Sequence, residues 1–449
     1  MKTKAVCHLV AMPFPGRGHI NPMMNLCKLL SSRRADLLIT FVITEEWSGY
    51  IGSEPKPEIV QFRTIPNGII PPERLKAADF LGFYEAVMTK MESPFEQLLD
   101  QLQPPVTAII GDIEVRWAIG VGTRRNIPVA AFWTMSASFF SMLYHLDVSA
   151  KAHNSSPEDL IDCGDLLPGI STSRVSELKK LFQKNDLRVL QLAIECVSKV
   201  TKAQYLLFTS IHELEVETMD SLSQTFPFPV YPIGPAIPYL ELLQNPTSSS
   251  IHQWLNNQPT RSVLYISLGS FLSVSSTQMD EILSGLRSSG VRFLWVARGE
   301  ATRLSQKMMS GGDQNGMVVA WCDQLKVLSH CSVGGFWSHC GWNSTLESFF
   351  SGVPMLTFPL FLDQDSNSKL IVEELGVGWE LAKGDYDENI RAEEIAEIVQ
   401  KFMNVESEEV GRMRRRAREV GDICNGVTKD GGSSVSNLDA FITGISQAV

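Results

Sequence analysis

The sequence predicts an α/β protein made of two Rossmann-like parallel-sheet domains facing across a cleft. Three observations predict it. Short apolar runs rich in β-branched and aromatic residues alternate with longer helical patterns, the alternation that yields parallel sheets covered by helices. The series occurs twice, on either side of the polar stretch Gln244-Asn-Pro-Thr-Ser-Ser-Ser250. And with 449 residues, 44% of them hydrophobic, the chain can bury two or three cores.

In chain order, strands are expected at 6–12, 37–42, 107–110 and 129–133, with helical patterns such as 22–32 and 83–102 between them. The second series runs 263–267, 293–297, 318–320, 333–337 and 355–358. The domains are therefore 1–236 and 253–433, joined by a linker at 237–252 whose composition suits a connection, with Trp254 starting the second domain's first helix. An amphipathic segment, 434–449, closes the chain. Sheets of this kind bind ligands at the carboxyl ends of their strands. His19, Asp112, Ser270 and His339 each stand just past an apolar strand-like run.

Net charge is −11, which argues against nucleic acid or an anionic membrane surface as a partner. The one basic cluster, Arg412-Met-Arg-Arg-Arg-Ala-Arg418, follows an acidic stretch and reads as a solvated helix face. Eight cysteines are scattered with no C-x-x-C pair, as suits reduced thiols in the cytoplasm. His330-Cys331 and His339-Cys340 lack the closing partners of a zinc site, so no metal is expected. The opening MKTKAVCHLVAMPFPG reads as a first strand rather than a signal peptide, since His8 interrupts its apolar run and no cleavage site follows. No stretch approaches the roughly 18 apolar residues of a membrane span.

The block from Trp321 to Gln364, WCDQLKVLSHCSVGGFWSHCGWNSTLESFFSGVPMLTFPLFLDQ, has a chemical order. Trp321 offers an indole face for a base. An apolar strand and a Ser-His-Cys-Gly turn follow, then the start of a helix at Trp342-Asn-Ser-Thr, where backbone N–H groups and the dipole favour phosphate. Glu347 can accept from ribose hydroxyls. Asp363-Gln364 supplies acceptors and donors for a sugar. This is a nucleotide-diphosphate-sugar site in linear order.

The block resembles the plant secondary product signature of the UDP-glycosyltransferases, glycosyltransferase family 1. MPFPGRGHINPMMNL, SVLYISLGSFLSVSSTQMDEI and GGSSVSNLDAFI extend the likeness over nearly the whole chain, in wording closest to the 87A subgroup. Asp323 departs from the family's usual Pro, and Leu268 from its commoner Phe. The resemblance implies the GT-B fold, with the final segment crossing back to the first domain and no C-terminal anchor of the kind usual in animal relatives. It implies that Trp321 stacks on uracil, the Cys322 backbone reads the base edge and Gln324 bonds the uridine. His339, Asn343, Ser344 and Ser270 would bind the diphosphate, Glu347 the ribose, and Trp342, Asp363 and Gln364 the hexose.

His19 lies in Pro15-Gly-Arg-Gly-His-Ile-Asn-Pro22, where Asn21 reads as an N-cap and Pro22 as the first helical residue. An imidazole at that positive helix end stays neutral and able to accept a proton, and the family's base matches this position. Asp112 can hold the other ring nitrogen; a helix cap for 114–120 is its bland alternative, and Glu114 is the nearby rival. Gly16, Trp133 and Met135 are candidates to touch the acceptor, although core packing explains the two large side chains equally well. Gly120-Val-Gly122 lacks the third glycine of a dinucleotide fingerprint, which disfavours a nicotinamide dehydrogenase. A UDP-sugar-binding protein without catalysis is the remaining alternative, and the presence of both His19 and Asp112 argues against it. The expected activity is inverting transfer of glucose from UDP-glucose to a hydroxyl, or a carboxyl, of a small hydrophobic plant metabolite. It needs no cofactor, no metal and no obligate protein partner.

Overall fold

The structure is a computed structural model and describes residues 7–51, 60–66, 79–157, 159–160, 172–242, 249–269, 274–310, 315–381 and 390–447. The chain divides into two compact units, Met1–Ile237 with Val427–Val449, and Pro238–Gly426.

The first unit holds a seven-stranded sheet in the order β3-β2-β1-β4-β5-β6-β7. Its strands are β1 His8–Met12, β2 Leu38–Thr44, β3 Val60–Ile65, β4 Ala108–Asp112, β5 Val129–Trp133, β6 Tyr205–Phe208 and β7 Val230–Pro232. Every pairing is parallel. β1, β4 and β5 are buried along their whole length, which explains their continuous apolar sequences: helices cover both faces of such a sheet. Chain order reverses between β1 and β4, and a doubly wound sheet opens a ligand crevice at that switch point.

The second unit repeats the plan in six parallel strands, β10-β9-β8-β11-β12-β13. These are β8 Val263–Ser267, β9 Arg292–Val296, β10 Gly316–Val319, β11 Val333–Ser338, β12 Met355–Thr357 and β13 Gly378–Glu380. Its core gathers Leu264, Ile266, Trp295, Trp337, Leu356 and Phe402. In this sheet the order reverses between β8 and β11.

The closing helix, Ser433–Gln447, belongs to the first unit. Arg33 holds it with a bidentate pair to Asp439, at 2.9 and 2.6 Å, and Asn437 Nδ2 donates to Pro232 O at 2.8 Å. The return to the first unit starts at Val427, seven residues before the expected 434. Two further expectations change. The segment 237–252 contains helix at Tyr239–Leu242 and from Ser250 onward. The helix Ser250–Asn256 starts before Trp254 because Ser249 Oγ accepts from His252 N at 3.3 Å, a side-chain cap.

The pattern at 83–102 is two helices, Phe80–Lys90 and Glu92–Gln101, broken at Met91. The seven cysteines among the described residues are free thiols. Among those residues no helix is long and apolar enough to cross a membrane.

Candidate functional site

In the first unit the switch point brings His19 and Asp112 together. β1 ends at Met12, and Gly16, in extended conformation, caps the helix Arg17–Arg33. His19 N and Ile20 N both bond Gly16 O, at 3.0 and 2.8 Å. The helix therefore starts five residues ahead of Pro22, and Asn21 is not its cap. Pro22 lies inside this helix, where it can make no hydrogen bond to the carbonyl of Gly18. His19 thus lies in the first helical turn. Phe14 packs against its ring at a centroid distance of 5.0 Å.

Asp112, the last residue of β4, is 3% exposed. Its Oδ2 lies 2.8 Å from His19 Nδ1, and its Oδ1 accepts from Glu114 N at 3.0 Å. The helix that follows starts only at Trp117, so Asp112 caps no helix and the bland reading falls. Thr134 Oγ1, just past β5, lies 3.0 Å from the same Nδ1. With Nδ1–H donating to the carboxylate, Nε2 keeps its lone pair directed elsewhere. A carboxylate at Nδ1 stabilises an imidazolium.

Of the acceptor candidates, Gly16 stands beside the ring: a Cβ there would lie 3.8 Å from His19 Cδ2. Trp133 is corrected to a core residue. It is 1% exposed, packs on Phe139 and Phe140, and satisfies its indole N–H on Ser136 O at 2.9 Å. Met135 is buried, at 9% exposure.

In the second unit β11 leads into His339, Cys340 and Gly341, then the helix Trp342–Ser351. This turn is tight. Cys340 has φ +65°, a left-handed conformation unusual for a side-chain-bearing residue. Gly341 and Gly269 (φ +90°) press on the His339 imidazole, and a Cβ on either would approach Nε2 to 2.4 or 2.8 Å. Only glycine fits at those two positions. Burial pushes His339 down to about 4, with the Arg298 charge adding to the effect and the Ser267 backbone opposing it. At neutral pH it is an uncharged ring that can donate one N–H. Asn343 and Ser344 occupy the helix's first turn, where backbone N–H groups lack helical partners. Ser270 lies outside the described residues. Trp342 is 4% exposed.

Trp321 is 65% exposed, an open indole face. Cys322 is buried with its thiol pushed up to about 12 by that burial, consistent with a role for its backbone alone. Asp323, in place of the usual Pro, caps the helix Gln324–Leu328 by accepting from Lys326 N at 3.3 Å. Gln324 is fixed at both ends. Its Oε1 accepts from the Tyr265 hydroxyl at 3.1 Å, and its Nε2 donates to Ser344 Oγ at 2.9 Å and Glu347 Oε2 at 2.6 Å. Glu347 is pushed up to about 7, chiefly by burial; the Gln324 hydrogen bond opposes this and the Asp323 charge adds to it.

Asp363 is 8% exposed and is held by Asn367 Nδ2 at 2.7 Å. The preceding Leu362 has φ +50°, a strained conformation of the kind that collects at functional sites. Gln364 Oε1 accepts from Leu360 N and Phe361 N at 2.8 and 3.0 Å. The amide's accepting end is therefore committed to the backbone of its own turn.

Sequence reasoning overlooked Thr134, Tyr265, Arg298 and Asn367. Thr134 and Arg298 follow the carboxyl ends of β5 and β9, the signal that singled out His19 and Asp112. Among the described residues no group of three or more His, Cys, Asp or Glu side chains is gathered for a metal ion.

Two doubly wound parallel sheets are the architecture of the GT-B fold. A family profile described as UDP-glucoronosyl and UDP-glucosyl transferase matches residues 174–407. UDP-glycosyltransferase 87A1 of Arabidopsis thaliana is 49% identical over 446 residues, covering 98% of this chain and 100% of its own. UDP-glycosyltransferase 87A2 of the same plant is 49% identical over 443 residues, covering 97% and 96%. The crystal structure of Medicago truncatula UGT71G1 complexed with UDP-glucose superposes with a TM-score of 0.78 at 27% identity, covering 98% of both chains. The chain belongs to the UDP-glycosyltransferase family, glycosyltransferase family 1 of the plant type.

Proposed function

We propose that the protein transfers glucose from UDP-glucose, with inversion, to a hydroxyl of a small hydrophobic metabolite, and that His19 is the general base. The observation that carries this is the His19 Nδ1 to Asp112 Oδ2 hydrogen bond of 2.8 Å at the first sheet's switch point. It fixes the tautomer in which Nε2 is the proton acceptor. The acceptor hydroxyl gives its proton to Nε2 as its oxygen forms a bond to the anomeric carbon, and the bond from that carbon to the UDP oxygen breaks. Attack from the face opposite the leaving group inverts the centre. Asp112 stabilises the resulting imidazolium. General-base help of this kind contributes on the order of 10²–10⁴-fold.

The second unit's share is donor binding. Trp321 stacks on the base and Glu347 accepts from the ribose. The start of the helix Trp342–Ser351, with Asn343, Ser344 and the neutral His339, meets the charge that grows on the diphosphate, and Ser270 is proposed to join them. Asp363 and Gln364 hold the hexose, the carboxylate accepting and the amide donating. Medicago truncatula UGT71G1 was solved with UDP-glucose, which supports glucose as the sugar. No metal or other cofactor takes part in this scheme, and it needs no protein partner. A cytoplasmic setting suits the free thiols.

Incubation with UDP-glucose and an acceptor panel, followed by UDP release and mass detection of the conjugate, tests the reading. A conjugate heavier by one hexose supports it. Tight UDP-glucose binding with no conjugate from any acceptor would favour a binding protein instead.

A further inference from the structure

Glu114 gives the first unit a feature that proton transfer does not require. Its backbone is set by the turn that ends β4, where Glu114 N bonds Asp112 Oδ1 at 3.0 Å and Val115 N bonds Asp112 O at 2.9 Å. This turn directs the side chain back to the imidazole, with Oε2 3.6 Å from His19 Nε2. Asp112 meets the same ring at Nδ1, so carboxylates flank both nitrogens. Both are buried, at 3% and 7% exposure. The Cys196 thiol, pushed up to about 12 by burial, also feels Glu114, Arg116 and Asp112; of these, the basic Arg116 is ion-paired with Glu195.

An oxygen that gives its proton to Nε2 must come within about 3 Å of it, and hence no farther than about 7 Å from Glu114 Oε2, which is 3.6 Å from the same nitrogen. We propose that Glu114 fixes the charge of the acceptor, so that the site takes neutral hydroxyl compounds and rejects carboxylic acids. The proposal rests on His19 being the base, since that role is what brings the acceptor oxygen beside Glu114. A neutral hydroxyl finds in Oε2 an acceptor-only partner. A carboxylate placed there meets a second negative charge at short range, the arrangement that disfavours ionisation in paired carboxyls. The acid enters against that repulsion or only after protonation, and either route lowers its kcat/KM by at least about tenfold.

The test uses the full chain, UDP-glucose and two matched probes, 2-naphthol and 2-naphthoic acid, at pH 7.5. Wild-type protein is expected to favour 2-naphthol at least about tenfold in kcat/KM, and Glu114→Gln, which keeps the shape and removes the charge, to narrow that ratio about tenfold through the KM of the acid. As a check that needs no variant, 2-naphthamide should inhibit 2-naphthol glucosylation at least about tenfold more tightly than 2-naphthoate. Equal use of the two probes by the wild type, equal inhibition by amide and acid, or an unchanged ratio in Glu114→Gln would each overturn the proposal. So would a loss of 2-naphthol turnover in Glu114→Gln with none in Asp112→Asn, since Glu114 would then be the ring's orienting partner. Failure of the underlying reading looks different: His19→Ala would glucosylate 2-naphthol at the wild-type rate.

Discussion

Glu347→Gln should make the ligand-free protein more stable at pH 8 and worse at binding UDP. Burial lifts the Glu347 carboxyl from its ordinary 4.5 to about 7. Its folded value therefore exceeds its unfolded value, and the folded state holds the extra proton between those two pH values. Stability falls as pH rises through that window, and the full cost is present above about 7. The span corresponds to at most about 3 kcal/mol, and the partial solvent contact of this side chain brings the expectation to roughly 1–3 kcal/mol. A neutral amide carries no such cost while still accepting from Gln324 Nε2. For a unit of this size, roughly 2–4 °C accompany each kcal/mol. Differential scanning of both proteins from pH 4.5 to 8.5 should show melting curves that coincide at the acid end and diverge to about 2–12 °C in favour of the variant at pH 8. UDP affinity, measured at pH 8 by calorimetry, should fall about 5- to 100-fold, because a charged acceptor of the ribose hydroxyls is lost. A difference in melting temperature independent of pH, or a variant less stable at pH 8, would refute the reasoning.

Three further outcomes follow from the same geometry. Asp112→Asn should preserve the fold and lower kcat by about 10²–10⁴-fold, because an amide stabilises imidazolium poorly and permits the wrong tautomer; pre-steady-state rates with a hydroxyl acceptor measure this. UDP-glucose should be preferred over UDP-galactose by at least about tenfold in kcat/KM, since an axial hydroxyl leaves a buried partner unmatched. Gln364→Ala should shrink that gap, and Gln364→Glu, which keeps an oxygen for Leu360 N and Phe361 N but loses the Nε2 donor, should lower glucose transfer about tenfold or more. Activity should survive exhaustive treatment with EDTA; a loss restored by Mg²⁺ or Mn²⁺ would mean that a metal, rather than the helix start, stabilises the departing diphosphate.

The parallel sheets were legible because buried strands write themselves as continuous apolar runs. β5 and β8 have the bounds the sequence suggested. The strands passed over are β6, a four-residue run one place in from a sheet edge, and the edge strands β3, β7 and β13. β3 reads Val-Gln-Phe-Arg-Thr-Ile, half exposed, while β7 and β13 have three residues each. Runs of three offer no period to detect. The start of the helix at Arg17 was hidden by Pro22, whose usual first-turn preference points to Asn21 as cap.

At the candidate sites, the residue types and their order were readable, whereas the direction of each side chain was not. Trp133 and Trp342 are buried, and nothing in a linear sequence separates a buried indole from one that lines a pocket. Gln364 spends its oxygen on two backbone N–H groups of a turn whose left-handed Leu362 has no compositional signature. Thr134 and Tyr265 supply single hydroxyls to His19 and Gln324, and one hydroxyl among many carries no pattern.

The role of His19 is tested most directly by the single-turnover rate of His19→Ala with saturating UDP-glucose and a hydroxyl acceptor, alongside its UDP affinity. The rate should fall by at least about 10²-fold while UDP binds within about twofold of wild type, because the base and the nucleotide contacts are separate. A wild-type rate in that variant would show that proton removal does not depend on His19.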